Sequence, residues 1–234
     1  MRNNIKYTIN YKKEKLKKVY IMINYEKFND KLKTKFNNIP RLVTEDLIRF
    51  WFIGSQNLSV PSVTIEKPYE NLKIKSDFKE RITSRARADL YDEQSDSVIE
   101  FKYHKKIESS ESCKTTNMGE VFRDLNRLSV LNNKEKFLIY VFDGEMKEYY
   151  DERAVNDILK FDKSFECKVS GEININENSN KEFYKAAFSS FCDGYKNFSK
   201  FNYTVRKVYS NKITSFKIEN EEDTNFYLSV FKVE

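Results

Sequence analysis

The run Ser97-Val-Ile-Glu-Phe-Lys-Tyr-His104 alternates apolar and polar positions through its middle and is rich in β-branched and aromatic residues, which predicts a strand over 97–105. A period of two puts Glu100 and Lys102 on one face and Ile99 and Phe101 on the other. Ile82 to Tyr91 reads as the preceding strand, and the polar stretch Asp92 to Asp96 as the hairpin turn between them. A turn centred on Gln94 and Ser95 sets Leu90 against Ile99, Asp89 against Glu100 and Ala88 against Phe101.

Helical periodicity dominates on either side of this hairpin. Val43 to Ile53 predicts a helix whose apolar face is Leu47, Ile48, Trp51 and Phe52, with Glu45 in its first turn. Met118 to Leu131 predicts another, with Met118, Val121, Phe122, Leu125 and Leu128 on one stripe. Arg123 and Arg127 lie off that stripe, either to touch phosphates or to pair with Glu120 and Asp124. Phe137 to Phe142 is almost continuously apolar, as expected of a central strand covered on both faces, and Asp143-Gly144 ends it. The stretch Ser55 to Lys79, with Pro61 and Pro68, reads as connection or irregular edge structure, and Ser109 to Thr116 as a polar loop.

The ends of the chain are less specific. Glu14 to Ile23 and Tyr25 to Phe36 carry some helical periodicity, and Lys12, Lys13, Lys15, Lys17 and Lys18 cluster. Such a cluster is either an arm following a nucleic-acid backbone or a solvated helix face, and the second is the commoner outcome. Past Asp151 the pattern predicts a short helix over Glu152 to Phe161 and a strand over Cys167 to Ile175. An aromatic helix stripe follows through Phe183, Ala187, Phe191, Tyr195 and Phe198. A small antiparallel sheet is then expected from Tyr203 to Tyr209, Lys212 to Ile218 and Phe226 to Val233. Three segments result: a basic helical extension over 1–40, a core over 41–165, and a C-terminal α+β elaboration over 166–234.

The hairpin carries the candidate chemistry. Like charges facing one another across a ladder are destabilising, so Asp89 beside Glu100 calls for a cation between them. Two carboxylates offer hard oxygen ligands, which suit Mg²⁺, with Mn²⁺ as a substitute, better than zinc. An ion there polarises a phosphoryl oxygen and eases deprotonation of an attacking water. Lys102 would position or activate that water, or neutralise charge developing on the phosphate.

Asp89, ten intervening residues and then Glu100-Phe101-Lys102 resemble the Asp…Glu-x-Lys signature of the PD-(D/E)XK nuclease superfamily, which includes many restriction endonucleases. The resemblance extends over Arg41 to Tyr150: Glu45 matches an acidic residue that many members carry on a helix before the core, and the helix and strand after the signature follow in order. Ala88 stands where many members have proline. The resemblance implies an α/β (α+β) fold with a restriction-endonuclease-like core, a mixed central sheet flanked by helices. The C-terminal helix and small sheet would be packed on that core. It implies a Mg²⁺-dependent endonuclease hydrolysing DNA, of restriction type or serving phage defence. Asp89 and Glu100 would be metal ligands, Lys102 the third catalytic group and Glu45 an accessory ligand. Arg85, Arg87, Lys105 and Lys106 would engage the phosphates of double-stranded DNA, which position the substrate without reading sequence. A homodimer would sever both strands. The alternatives are a non-catalytic nucleic-acid-binding or assembly protein on the same fold, and a nuclease acting on RNA or damaged DNA.

Composition changes this picture little. The chain has 234 residues and a net charge of +6, with a pI near 8.9; this suits a polyanionic partner without requiring one. Abundant Lys, Asn, Ile and Tyr is also the bias of an AT-rich genome, which inflates lysine without selection for binding. The cysteines Cys113, Cys167 and Cys192 lie far apart with no C-x-x-C pair, which argues against a disulfide framework or structural zinc. With His104 the only histidine, mechanisms built on paired histidines are excluded, HNH-type nucleases among them; the ring itself reads as a polar rim residue rather than a catalyst, with a phosphate contact as the alternative. Mean hydropathy of −0.73 and no long apolar run predict a protein of the cytoplasm without a membrane segment.

Overall fold

The structure is a computed structural model that describes residues 23–39, 42–56, 58, 62–78, 86–105, 111–152, 158–160, 166–171, 185–187, 201–216 and 224–234. Two helices come first, α1 (Tyr25–Asn38) and α2 (Glu45–Ser55). Each starts at a side-chain cap: Asn24 accepts from the Lys27 amide and Thr44 from the Leu47 amide, satisfying donors that a helix N-terminus leaves open. The short strand β1 (Val63–Pro68) and two 3₁₀ turns precede the hairpin of β2 (Arg87–Asp92) and β3 (Ser97–His104). Then come α3 (Glu111–Ser129), β4 (Glu135–Asp143), α4 (Gly144–Glu152), β5 (Glu166–Gly171), β6 (Phe201–Phe216) and β7 (Thr224–Val233).

The seven strands among the described residues join one mixed sheet in the order β1-β2-β3-β4-β7-β6-β5. β3 and β4 are parallel, as a strand–helix–strand connection through α3 requires. The remaining neighbours are antiparallel. Helices cover both faces. Phe28, Leu32 and Phe36 of α1 and Ile48, Trp51 and Phe52 of α2 pack with Ile99, Phe101, Ile139 and Val141. Val121, Leu125 and Leu128 of α3 and Tyr150 of α4 pack with Leu138, Tyr140 and Phe142 on the other side. β4 is thus buried on both faces, as its continuous apolar run predicts. Among the described residues, no helix is long and apolar enough to cross a membrane.

Several expectations change. The small C-terminal sheet is not separate: β7 pairs with β4, so the late strands widen the central sheet. The two alternating runs from Tyr203 and Lys212 form one strand, β6, bent by register shifts at Lys207/Tyr209 and Lys212/Thr214. The polar segment Ser109 to Thr116 is largely helical, because α3 begins at Glu111. Helix α4 over Gly144 to Glu152, with Tyr149 and Tyr150 on its buried side, is unexpected after Asp143-Gly144, while most of the helix expected over Glu152 to Phe161 lies outside the described residues. The basic cluster from Lys12, most of the aromatic stripe from Phe183, and both Arg85 and Lys106 lie outside the described residues.

Candidate active site

The hairpin turns where expected, pairing Asp92 with Ser97 and Leu90 with Ile99, but the ladder between β2 and β3 stops there. Asp89 is therefore not laddered against Glu100. Ala88 packs with the α3-side core, whereas Leu90 and Phe101 belong to the α1/α2 side. Alternation alone would have kept Ala88 with Leu90. The divergence leaves β3 amides without strand partners, and buried amides need acceptors. Two carboxylates take that role. Asp89 Oδ2 accepts from Phe101 N at 2.7 Å, and Glu45 Oε2 from Tyr103 N at 3.1 Å. Through the gap between the strands, α2 brings Glu45 to β3.

A cleft of about 260 Å³ opens here, lined by nine side chains, all of them charged residue types. Glu100 and Lys102 reach it from β3, Asp89 and Arg87 from β2, Glu45 from α2 and Glu66 from β1. Arg123, Asp124 and Arg127 complete it from α3. The predicted Asp89, Glu100, Lys102 and Glu45 are thus gathered in one place, with Arg87 at the rim. Lys105 is exposed and is not part of the lining.

Each member of the set is held by a partner. Asp89 Oδ1 receives Arg49 at 3.0 Å. Glu100 Oε1 accepts from the Tyr69 hydroxyl at 2.5 Å, both groups being fully buried or nearly so. Lys102 Nζ lies 3.5 Å from Glu45 and 3.3 Å from Asp124. Asp124, itself buried, also receives Arg123 and Arg127 at 3.2 and 3.4 Å.

These placements set the proton affinities. Burial, reinforced by the charges of Asp89 and Asp124, holds the Glu100 carboxyl well above the usual carboxylate range. Burial also raises Asp89, against the pull of Arg49 and the Phe101 amide. Glu45 is raised by burial too, with Lys102 opposing. For Asp124 the cost of burial is outweighed by Lys102, Arg123 and Arg127, so its carboxyl lies below the usual range. Burial alone would ease loss of the Lys102 proton, yet Asp124 and Glu45 hold its pKa above the ordinary lysine value. Lys102 therefore stays charged, which favours donating to an anion over accepting a proton from water.

His104 is no rim residue. It is buried, bonded to the Tyr140 hydroxyl at 3.0 Å and 3.3 Å from Glu120, and burial lowers its pKa.

Arg49, Glu66 and Tyr69 are neighbours of this site that the chain's apolar periodicity does not mark. Arg49 follows Glu45 by one helical turn, a spacing that could have been read. Asp124 reads from the sequence as a pairing partner of Arg123 and Arg127, although it falls on the inward stripe between Val121 and Leu128, where a carboxylate is a conspicuous interruption. Tyr69 follows Pro68 in irregular chain and carries no periodic signal.

The chain matches no family model, no curated protein and no solved structure.

Among the described residues, no three acidic, histidine or cysteine side chains converge closely enough to form a metal site as they stand. Asp89, Glu100 and Glu45 are instead engaged by Arg49, Tyr69 and Lys102 respectively. In kind the donors fit a hard divalent ion: Asp89 and Glu100 are oxygen ligands whose negative charges disfavour each other without a cation.

Proposed function

We propose that this chain is a Mg²⁺-dependent endonuclease that hydrolyses phosphodiester bonds in DNA, on a restriction-endonuclease-like core. The observation that carries the reading is the meeting of Asp89, Glu100 and Lys102 in one charged cleft, joined by Glu45 from a helix far away in sequence. The order α2, hairpin, α3, β4 around that cleft, with β3 and β4 parallel, is the order the resemblance implies and supports it further.

Asp89 and Glu100 would hold the ion. When bound, it would polarise a phosphoryl oxygen and acidify the attacking water. Lys102, kept protonated by Glu45 and Asp124, donates to the water or to the phosphate and offsets charge developing there. Arg87, Arg123 and Arg127 supply further positive charge at the wall of the cleft. Tyr69 fixes the rotamer of Glu100.

Purified protein incubated with plasmid, with and without Mg²⁺ and beside Lys102→Ala, tests this directly. Metal-dependent cutting that the variant lacks supports the nuclease, and defined fragments would give it restriction specificity. A lack of cutting on circular, linear, single-stranded and methylated DNA, and on RNA, would reject catalysis.

A non-catalytic nucleic-acid-binding protein is the second reading. It is favoured by one observation: Asp89, Glu100 and Lys102 are each engaged by a protein partner, as in a closed structural network. Such a protein would hold DNA without metal, and Lys102→Ala would leave its function unchanged.

A further inference from the structure

Helix α2 presents two charged residues to the cleft one turn apart, Glu45 and Arg49, and each engages one signature residue. Glu45 faces Lys102, and Arg49 faces Asp89. Arg49 is the less expected of the two. Its side chain is 9% exposed, and one arm of its guanidinium meets Asp89 Oδ1 at 3.0 Å while the other meets Glu66 Oε1 at 2.6 Å. Asp46 stands 3.5 Å away. One buried cation is thus shared by three carboxylates from α2, β1 and β2.

The backbone beside this contact is unusual. Glu66 has a φ of 55°, the left-handed region that a residue with a Cβ seldom occupies. The β1–β2 pairing includes Ile65–Leu90 and Lys67–Ala88 but omits Glu66. An outlier of this kind persists only where surrounding contacts fix it, and such outliers cluster at functional sites. Here Arg49 meets the Glu66 carboxylate and Arg87 donates to the Glu66 carbonyl, and Arg49 in turn meets Asp89.

We propose that Arg49 is a positioning residue that stands in for the divalent ion at Asp89, so that ion binding and the Arg49–Asp89 pair are antagonistic. The inference rests on reading Asp89 as a ligand of that ion. Two cations compete for one carboxylate, and the planar fork of Arg49 has Glu66 and Asp46 to fall back on when Asp89 is taken. With no ion bound, Arg49 keeps the Asp89 charge compensated and its side chain directed into the cleft. Once an ion is bound, Glu66 holds the guanidinium aside.

Titration calorimetry of the whole chain with Mn²⁺ alone tests the antagonism without reference to activity. Arg49→Gln should bind the ion about ten- to a hundredfold more tightly than the native chain, the scale of outer-sphere effects on metal sites. Glu66→Gln should bind more weakly, because it leaves Arg49 more firmly on Asp89. Asp89→Asn should abolish binding in every background. Glu66 is half exposed, so its variant decides the matter should Arg49→Gln fail to fold in a metal-free melt. Equal or weaker binding by Arg49→Gln, or unchanged or tighter binding by Glu66→Gln, with Asp89→Asn still abolishing it, would overturn the antagonism and leave the metal site standing. Absence of binding by every form would overturn the metal reading and the antagonism with it.

Discussion

On one face of β3, Ile99 and Phe101 are sealed into an apolar layer with α1 and α2; on the other, Glu100, Lys102 and His104 are almost as deeply buried among charges and hydroxyls. Successive residues of one strand thus inhabit opposite environments. The apolar face holds itself by area removed from water and by close packing, with edge-on rings such as Phe52 against Phe101. The polar face holds only because every charge has a partner, since an unpaired buried charge is expensive. Stabilisation explains the first face. It does not explain the second, because apolar side chains of similar volume often do as well or better than a buried ion network. This contrast is one ground for the proposed site.

The sharpest way to break the contrast is to swap one residue on each face. If the proposed function holds, Glu100→Gln should lower metal-dependent cleavage by about 10²–10³-fold, the scale of losing one preorganised electrostatic group, while leaving the melting temperature equal or higher. The amide oxygen can still accept from Tyr69, and a charge leaves a dry position. Phe101→Ala should do the reverse in kind, costing about 3–5 kcal/mol of stability, read by denaturant unfolding. If Glu100→Gln unfolds the protein as Phe101→Ala does, the polar face is structural.

The pH dependence sharpens the same point. Glu100 has a folded pKa raised above its unfolded value. Its contribution to stability is therefore full at pH below the ordinary carboxylate range and is lost as pH rises from there toward the folded pKa. Melting curves of metal-free protein at pH 5 and pH 8 should show Glu100→Gln gaining on the native chain at the higher pH. No change in the difference would mean that Glu100 is ionised without penalty. The smallest effect belongs to α2, which serves both faces: Thr44→Ala removes the cap and should cost about 1 kcal/mol, measured by thermal unfolding.

Much of this was legible in the chain. Alternation fixed the faces of Glu100 and Lys102, the symmetric turn around Gln94 fixed the pairing of Leu90 with Ile99, and the unbroken apolar run of β4 announced a strand covered twice. Such features are local, because side-chain period and turn geometry act over a few residues. Tertiary structure alone decided the rest. Where β2 leaves β3, which carboxylates then cap the Phe101 and Tyr103 amides, and which cations meet Asp89 and Lys102 depend on segments tens of residues apart. Strand pattern could name Asp89, Glu100 and Lys102. Only the packing of α2, α3 and the Tyr69 turn against the opened hairpin set their charges, because the proton affinity of a buried group depends on what surrounds it in space.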